Sequence, residues 1–220
     1  MSDRLEERIF TVDDSGNTLP YLLHLPEAYH DDSGKWPLLL FLHGASERGD
    51  DPRDLVAHGP TKQVAAGRDL PFVMVAPQCP GYSTWACEIS GVAALLDDVV
   101  DSHRIDTDRI SVSGLSMGGM GTWAIAARYP DRFAALAPIC GAWMPEAAPR
   151  FAGVPVWTFH GELDDNMLIG TTEQMVDALE ALGAPVRFTR YPDGGHDVWT
   201  RTYDDPAVYE WLAGQTRRAR

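Results

Sequence analysis

Residues 114–119 read GLSMGG and join two segments of different character. The preceding RISVS (109–113) predicts a strand, whereas the following MGTWAIAARY (120–129) is typical of a helix. A single serine, Ser116, therefore lies at a sharp turn from strand to helix. The glycines on either side of it remove side chains at the place where such a strand and helix come closest together.

Strand-like and helix-like segments alternate along the rest of the chain. PLLLFL (37–42) and PFVMVA (71–76) are continuously apolar, which is typical of strands buried on both faces of a parallel sheet. GVAALLDDVVDSHR (91–104) and TTEQMVDALEALG (171–183) carry apolar residues at helical spacing. Near the N terminus, RIFTV and LPYLLHLP indicate an antiparallel hairpin. The pattern predicts an α/β fold with a mostly parallel central sheet flanked by helices.

Local signals predict several helix ends. Thr171 and Gln174 have the spacing of a capping box at the start of the helix in 171–183, and Gly183 predicts its end. Asp205 followed by Pro206 predicts the start of the last helix.

Length and composition favour one domain. The chain has 220 residues, of which 45% are hydrophobic, which suffices for one sizeable core but not for two ordinary domains. We expect a single α/β domain over residues 1–220. Between the predicted strands that end at Gly141 and begin at Pro155 only a short loop fits, which leaves no room for a lid domain, so a site at the carboxyl ends of the strands is expected to be shallow and open.

The charge balance and the cysteines exclude several partners. A formal net charge of −14 and a pI near 4.7 argue against nucleic acid or an anionic membrane, because both require a basic surface. MSDRLEERIF lacks the apolar core of a signal peptide, and we expect a cytoplasmic protein. Cys79, Cys87 and Cys140 lack metal-binding spacing, so we expect buried, unpaired thiols and no metal.

The pattern GxSxG at 114–118 indicates a nucleophilic serine on a strained turn. A serine nucleophile needs a base to take its proton and a third group to orient that base. Among the seven histidines, His196 follows a late predicted strand in a glycine-rich loop, YPDGGHDVW (191–199). We therefore predict Ser116 as the nucleophile and His196 as the base.

The third group should follow the predicted strand PVWTF (155–159). There, HGELDD (160–165) supplies Glu162, Asp164 and Asp165. Asp164 lies far enough beyond the strand to turn back towards the histidine, and we predict that it is the acid. Asp165 remains a neighbouring alternative.

Backbone N–H groups are expected to bind an oxyanion beside the serine. One belongs to Met117 at the start of the helix, and the other to Ala45 in HGASERGDD (43–51). Glu47 and Arg48 in that loop either orient it through a charged hydrogen bond or form a solvated pair. A structural role is favoured over a catalytic one.

These segments resemble the α/β-hydrolase superfamily, and within it the compact phospholipase/carboxylesterase and predicted-peptidase group of esterases. The resemblance extends from about Leu19 to Leu212. It is carried by HGASERGDD, DRISVSGLSMGGMGTWAIAARYPDRFAALAPICG (108–141), HGELDD and GGHDVWTRTY (194–203). One departure is NMLIG (166–170), where relatives commonly carry a valine and a proline.

By this resemblance, Ser116, His196 and Asp164 form a catalytic triad, and Ala45 and Met117 form the oxyanion hole. The implied activity is a serine carboxylesterase that needs no cofactor and acts on a small-molecule ester. A serine peptidase of the same fold and a non-catalytic hydrolase-like binding protein are the alternatives.

The expected substrate follows from what surrounds the site. Trp85, Trp143 and Trp199 fall near predicted strand ends and are candidates to wall an acyl or aromatic pocket. Together with the absence of room for a lid domain, they favour short-chain or aryl esters over long-chain ones.

Overall fold

The structure is a computed structural model that describes residues 4–12, 16–31 and 33–217. These residues contain eight strands, which form one sheet. The strands are β1 (Glu6–Thr11), β2 (Thr18–His24), β3 (Trp36–Leu42), β4 (Val73–Pro77), β5 (Ile105–Leu115), β6 (Ala135–Ile139), β7 (Val156–Gly161) and β8 (Val186–Tyr191).

The strand order is β1-β2-β4-β3-β5-β6-β7-β8. Strands β1 and β2 form the expected antiparallel hairpin, and β2 pairs antiparallel with β4. All pairings from β4 to β8 are parallel. The predicted mostly parallel sheet of an α/β-hydrolase fold is therefore confirmed.

Helices cover both faces of the sheet. Along β3, Leu38 and Leu40 belong to one buried cluster, whereas Leu39 and Phe41 belong to another, so this strand is buried on both faces. The helices are α1 (Gly59–Ala65), α2 (Trp85–Ser102), α3 (Met117–Arg128), α4 (Gly170–Ala181), α5 (Trp199–Asp204) and α6 (Pro206–Gly214). The first cluster includes residues of α2, α3 and α4, and the second includes residues of α1, α5 and α6.

Some helix ends differ from the predictions. The capping box at Thr171 is wrong, because Thr171 lies inside α4 and its hydroxyl donates to the Leu168 carbonyl at 2.8 Å. Gly183 ends the helix in the left-handed region (φ +67°), and Asp205 caps α6 by accepting from the Ala207 N–H, both as predicted. Helix α2 begins at Trp85, six residues before the predicted segment.

The connection between β6 and β7 is short. It contains one 3-10 turn, Pro145–Arg150, and the side chains of Ala148 and Phe151 are buried in the core. The connection adds no lid domain, as expected. None of the helices in the described part of the chain combines the length and the hydropathy of a membrane-spanning segment.

Two glycines allow the turn from β5 into α3 to fit against β3. A Cβ atom at Gly118 would lie 1.8 Å from the Leu42 carbonyl oxygen, and one at Gly114 would lie 2.3 Å from the Gly118 carbonyl oxygen. Both obstacles are backbone atoms, which cannot rotate away as a side chain can. Only glycine therefore fits at these two positions.

All three cysteines are free. Burial raises the pKa of the Cys79 and Cys140 thiols to about 12. Cys87 is exposed, which corrects the expectation that it is buried, because it lies near the solvent-facing start of α2.

The substitution Gly118→Ala should destabilise the fold, because the added methyl group forces the first turn of α3 away from β3. We expect a loss of at least about 3 kcal/mol, the upper end of ordinary overpacking. Thermal unfolding should show it against the control Gly81→Ala, since a Cβ at Gly81 meets nothing within 4 Å. Equal melting temperatures for the two variants would show that position 118 has room for a methyl group.

Titration of the native protein with a disulfide reagent should modify one thiol rapidly, that of Cys87. Cys79 and Cys140 should react only after unfolding, because both are buried and their raised pKa disfavours the thiolate. The variant Cys87→Ser should abolish the rapid phase. Rapid reaction of two or more thiols in the native state would show that the buried sites open.

Candidate active site

Ser116 occupies a strained backbone conformation between β5 and α3. Its φ of 52° and ψ of −117° are unfavourable for a residue with a side chain and cost about 1–3 kcal/mol. The Ser116 N–H donates to the Ile139 carbonyl at 2.8 Å, which ties the turn to the neighbouring strand β6. The turn leaves the hydroxyl at the carboxyl end of the sheet, where ligands bind in parallel α/β folds.

The structure brings together the three residues predicted as a triad. His196 Nε2 lies 2.9 Å from Ser116 Oγ, and His196 Nδ1 lies 2.7 Å from Asp164 Oδ2. With the proton on Nδ1, His196 donates to the carboxylate and its Nε2 accepts from the serine hydroxyl. This is the arrangement needed for proton transfer from the serine.

Asp164 is the carboxylate that faces His196, whereas Glu162 and Asp165 are exposed. Its second oxygen accepts from the N–H groups of Asn166 at 3.0 Å and Met167 at 2.8 Å. Burial favours the neutral carboxyl, but these hydrogen bonds and that of His196 outweigh it and lower the pKa of Asp164. Although NMLIG departs from the usual sequence, its backbone still stabilises the carboxylate.

Loop packing holds His196 in place. The acid loop (162–169, after β7) and the histidine loop (192–198, after β8) are joined by a hydrogen bond from the Leu163 N–H to the Gly194 carbonyl at 2.8 Å. The Trp199 ring packs edge-on against the imidazole, with centroids 5.0 Å apart and planes at 88°. These contacts restrict the imidazole to the orientation that meets both Ser116 and Asp164.

The two predicted oxyanion donors lie at helix starts. Ala45 begins a 3-10 turn, Ala45–Glu47, and Met117 is the first residue of α3. The N–H group of a first helical residue has no acceptor within its own helix, so both donors are available to a ligand. That they stabilise an oxyanion stays a prediction.

Buried polar side chains fix the loop that carries Ala45. His43 accepts from the Cys79 N–H at 2.9 Å and faces the Gly44 carbonyl through Nδ1 at 2.5 Å, which identifies Nδ1 as the protonated nitrogen. Burial lowers the pKa of His43 to about 4, so the ring is neutral near pH 7. Its backbone carbonyl accepts from the Trp85 indole N–H at 2.9 Å.

Glu47 and Arg48 both have structural partners, but they do not pair with each other. The buried Glu47 carboxylate accepts from the Ser46 hydroxyl at 3.0 Å and faces His43 and His58 at 3.9 Å and 3.8 Å. Arg48 donates to the carbonyls of Ala45 and Ser83, both at 3.1 Å. These contacts support the favoured structural role and exclude a solvated pair.

The three tryptophans have different positions. Trp85 is 1% exposed and supports the loop of His43, so the expectation that it walls a substrate pocket is corrected. Trp199 is also nearly buried and begins α5 beside His196. Trp143 lines a cavity of about 460 Å³ with Met144 and residues of α2 and α3. The cavity reaches Ala124, which lies about 12 Å along α3 from Ser116.

Cys140, Asp164 and His196 bring potential metal-ligand atoms within 4.8 Å of one another. In this arrangement Asp164 and His196 are hydrogen-bonded to each other. The pKa of the Cys140 thiol is raised to about 12, which disfavours the thiolate that a metal requires. The geometry therefore fits a hydrogen-bonded triad better than a metal centre.

One residue at the site was not singled out from the sequence. His160 is the penultimate residue of β7, the strand that precedes the acid loop, and its Nε2 lies 3.1 Å from Asp164 Oδ2. The available signal was its position immediately before the acid loop, in the HG dipeptide at a strand end. The same dipeptide occurs at His43, where it begins the loop that carries Ala45. Its position at a strand end therefore does not tell whether such a histidine supports the loop of Ala45 or the acid loop.

The substitution Asp164→Asn should lower the rate of fluorophosphonate labelling by about 10⁴-fold, since an amide stabilises the wrong histidine tautomer. Asp165→Asn is the matched control, because Asp165 is exposed, and it should label at the wild-type rate within about twofold. Labelling kinetics followed by intact mass would compare the two. A larger loss for Asp165→Asn would reassign the acid.

Comparisons with known proteins agree with the fold. Residues 87–213, more than half of the chain, match the dienelactone hydrolase family. A solved structure described as a thermostable esterase superposes with a TM-score of 0.86 at 32% identity, covering 98% of this chain and 64% of that one.

Two curated relatives extend the comparison. A bifunctional acetylxylan esterase/xylanase of Neocallimastix patriciarum is 34% identical over 59% of this chain, and an uncharacterized secreted protein of Arthroderma benhamiae is 26% identical over 77%. The matched regions span only 19% and 22% of those proteins, respectively. The expected resemblance is confirmed, and the chain belongs to the dienelactone hydrolase family of the α/β-hydrolase superfamily.

Proposed function

We propose that this chain is a serine carboxylesterase. The observation that carries the proposal is the continuous hydrogen-bond path from Asp164 through His196 to Ser116. Family membership and the esterase relatives support hydrolysis of an ester bond. The strained turn supports a reactive serine, because such strain is concentrated at functional sites.

The chain's own residues supply each step of acyl transfer. Ser116 Oγ attacks the ester carbonyl carbon while His196 Nε2 takes the hydroxyl proton. The carbonyl oxygen becomes an oxyanion between the N–H groups of Ala45 and Met117. His196 then gives its proton to the leaving alcohol, and the acyl group stays on Ser116. Water activated by the same imidazole hydrolyses the acyl-serine and restores the enzyme.

Asp164 contributes electrostatically and does not need to take a proton. Its carboxylate faces the imidazole as the latter becomes positively charged, and three hydrogen bonds keep the carboxylate ionised. The neutral imidazole is the form that can take the serine proton.

We propose small esters, short-chain or aryl, as substrates rather than long-chain ones. The short connection between β6 and β7 leaves the site without a lid domain, and the acetylxylan esterase relative is named for an ester of a small acyl group. A small-molecule partner, rather than nucleic acid or a membrane, is part of this proposal. A cytoplasmic location stays a prediction.

Intact mass after treatment with a fluorophosphonate tests the proposal without knowledge of the natural substrate. Wild type should gain one adduct, whereas Ser116→Ala should gain none and His196→Ala should react at least about 10³-fold more slowly. His30→Ala is the matched histidine control, because His30 is exposed and lies outside the site. Hydrolysis of p-nitrophenyl acetate, butyrate and octanoate should follow the same pattern and favour the shorter esters.

Other outcomes distinguish the alternatives. An adduct together with faster cleavage of aminoacyl p-nitroanilides than of esters would favour the peptidase. Folded wild type without an adduct would contradict an activated serine and favour the non-catalytic binding protein.

A further inference from the structure

His160 is a fully buried histidine that the proposed mechanism does not use. It is the penultimate residue of β7, and its side chain has no exposed surface. Its Nδ1 lies 2.8 Å from Thr172 Oγ1 on α4. Its Nε2 lies 2.7 Å from the Met167 carbonyl oxygen and 3.1 Å from Asp164 Oδ2. The ring therefore lies between a helix and the acid of the triad.

The partners of His160 fix the position of its proton. A carbonyl can only accept, so the short contact with Met167 requires the proton on Nε2. Nδ1 is then an acceptor, and the Thr172 hydroxyl donates to it. Burial lowers the pKa of His160 despite the opposing effects of Met167 and Asp164, so the ring is neutral at neutral pH.

The hydrogen bond from His160 Nε2 to Met167 holds the acid loop in place. Met167 accepts from His160 through its carbonyl and donates to Asp164 Oδ1 through its own N–H. The same nitrogen lies 3.1 Å from Asp164 Oδ2, the oxygen that also accepts from His196. If Met167 moved away, Asp164 would lose a hydrogen bond on Oδ1.

We propose that His160 is a positioning residue that locks the acid loop and thereby the Asp164 carboxylate towards His196. The inference rests on the proposed function, because it assigns a role within the same site. His160 touches neither Ser116 nor a substrate, and it acts through Met167 and Asp164. Thr172 completes the arrangement by anchoring the ring to α4.

The pair of variants His160→Leu and His160→Gln tests this role. A leucine fills similar space but donates nothing, whereas the amide nitrogen of glutamine can replace Nε2 and donate to Met167. We expect kcat/KM and the fluorophosphonate labelling rate to fall about 10–100-fold in His160→Leu, mainly through kcat. His160→Gln should recover activity to within about fivefold of wild type.

The pH profile separates positioning from a general packing effect. The titratable groups near His160 are Asp164 and His196, with the thiol of Cys140 close to both of them. Once the Asp164 carboxylate is no longer held towards His196, it stabilises the imidazolium less. The acidic limb of kcat/KM should therefore move to lower pH in His160→Leu and stay near the wild-type position in His160→Gln.

Amide hydrogen exchange provides a readout that needs no reaction. The N–H groups of Asn166 and Met167 should exchange at least about tenfold faster in His160→Leu than in wild type, and His160→Gln should restore protection. Thr172→Val should show a smaller increase, since it removes only the hydroxyl that orients the ring. Melting temperatures of all variants identify any that fail to fold.

The outcomes separate this inference from the proposed function. If wild type is labelled by the fluorophosphonate and folded His160→Leu matches it in rate, pH profile and exchange, the positioning role is overturned and the esterase proposal stands. If wild type is not labelled, the esterase proposal fails, and the exchange of Asn166 and Met167 still decides whether His160 locks the loop. Should His160→Leu not fold, unchanged exchange in Thr172→Val together with failure of His160→Gln to protect the loop would overturn the role.

Discussion

The close approach of the α3 N terminus to strand β3 is the constraint on which the site depends. There is no room for a Cβ atom at Gly118, because the Leu42 carbonyl oxygen would lie 1.8 Å from it. The helix can therefore begin immediately after Ser116, whose own backbone is forced to a φ of 52°. The same contact brings the start of α3 beside the loop that follows β3, so that the N–H groups of Met117 and Ala45 occupy one edge of the sheet. Reactivity and packing thus arise from a single turn.

Around this turn, the loops that follow successive parallel strands support one another. The loop after β3 is held by His43, whose ring and backbone bond to Cys79 and Trp85. The loop after β7 is held through Met167 and by the hydrogen bond between Leu163 and Gly194 of the histidine loop. Asp164, His196 and the loop of Ala45 are consequently held by hydrogen bonds that do not involve the reacting atoms. Buried polar groups with full sets of partners are well suited to this, because any misplacement leaves a costly unpaired group.

Much of this arrangement could be predicted from the sequence, because its signals are local. The apolar strand segments, the glycines beside Ser116 and the Asp205–Pro206 helix start all depend on near neighbours in the chain. The features that local pattern did not reveal depend on distant contacts. Helix α2 begins earlier than predicted, and the indole of Trp85 at its start donates a hydrogen bond to His43, 42 residues away in the sequence. The capping pattern at Thr171 is not used, because α4 already begins at the preceding residue, Gly170. The geometric choice between Asp164 and Asp165 required the contact with His196, 32 residues along the chain.

The measurement that tests the central claim most directly is the crystal structure of the protein after reaction with a small fluorophosphonate. The account predicts phosphorus bonded to Ser116 Oγ, with the phosphoryl oxygen about 2.7–3.1 Å from the backbone nitrogens of both Ala45 and Met117. His196 should keep its hydrogen bond to Asp164. A phosphoryl oxygen that points to solvent, or an adduct on another residue, would contradict the claim that the strained turn places the hydroxyl between its base and the oxyanion donors.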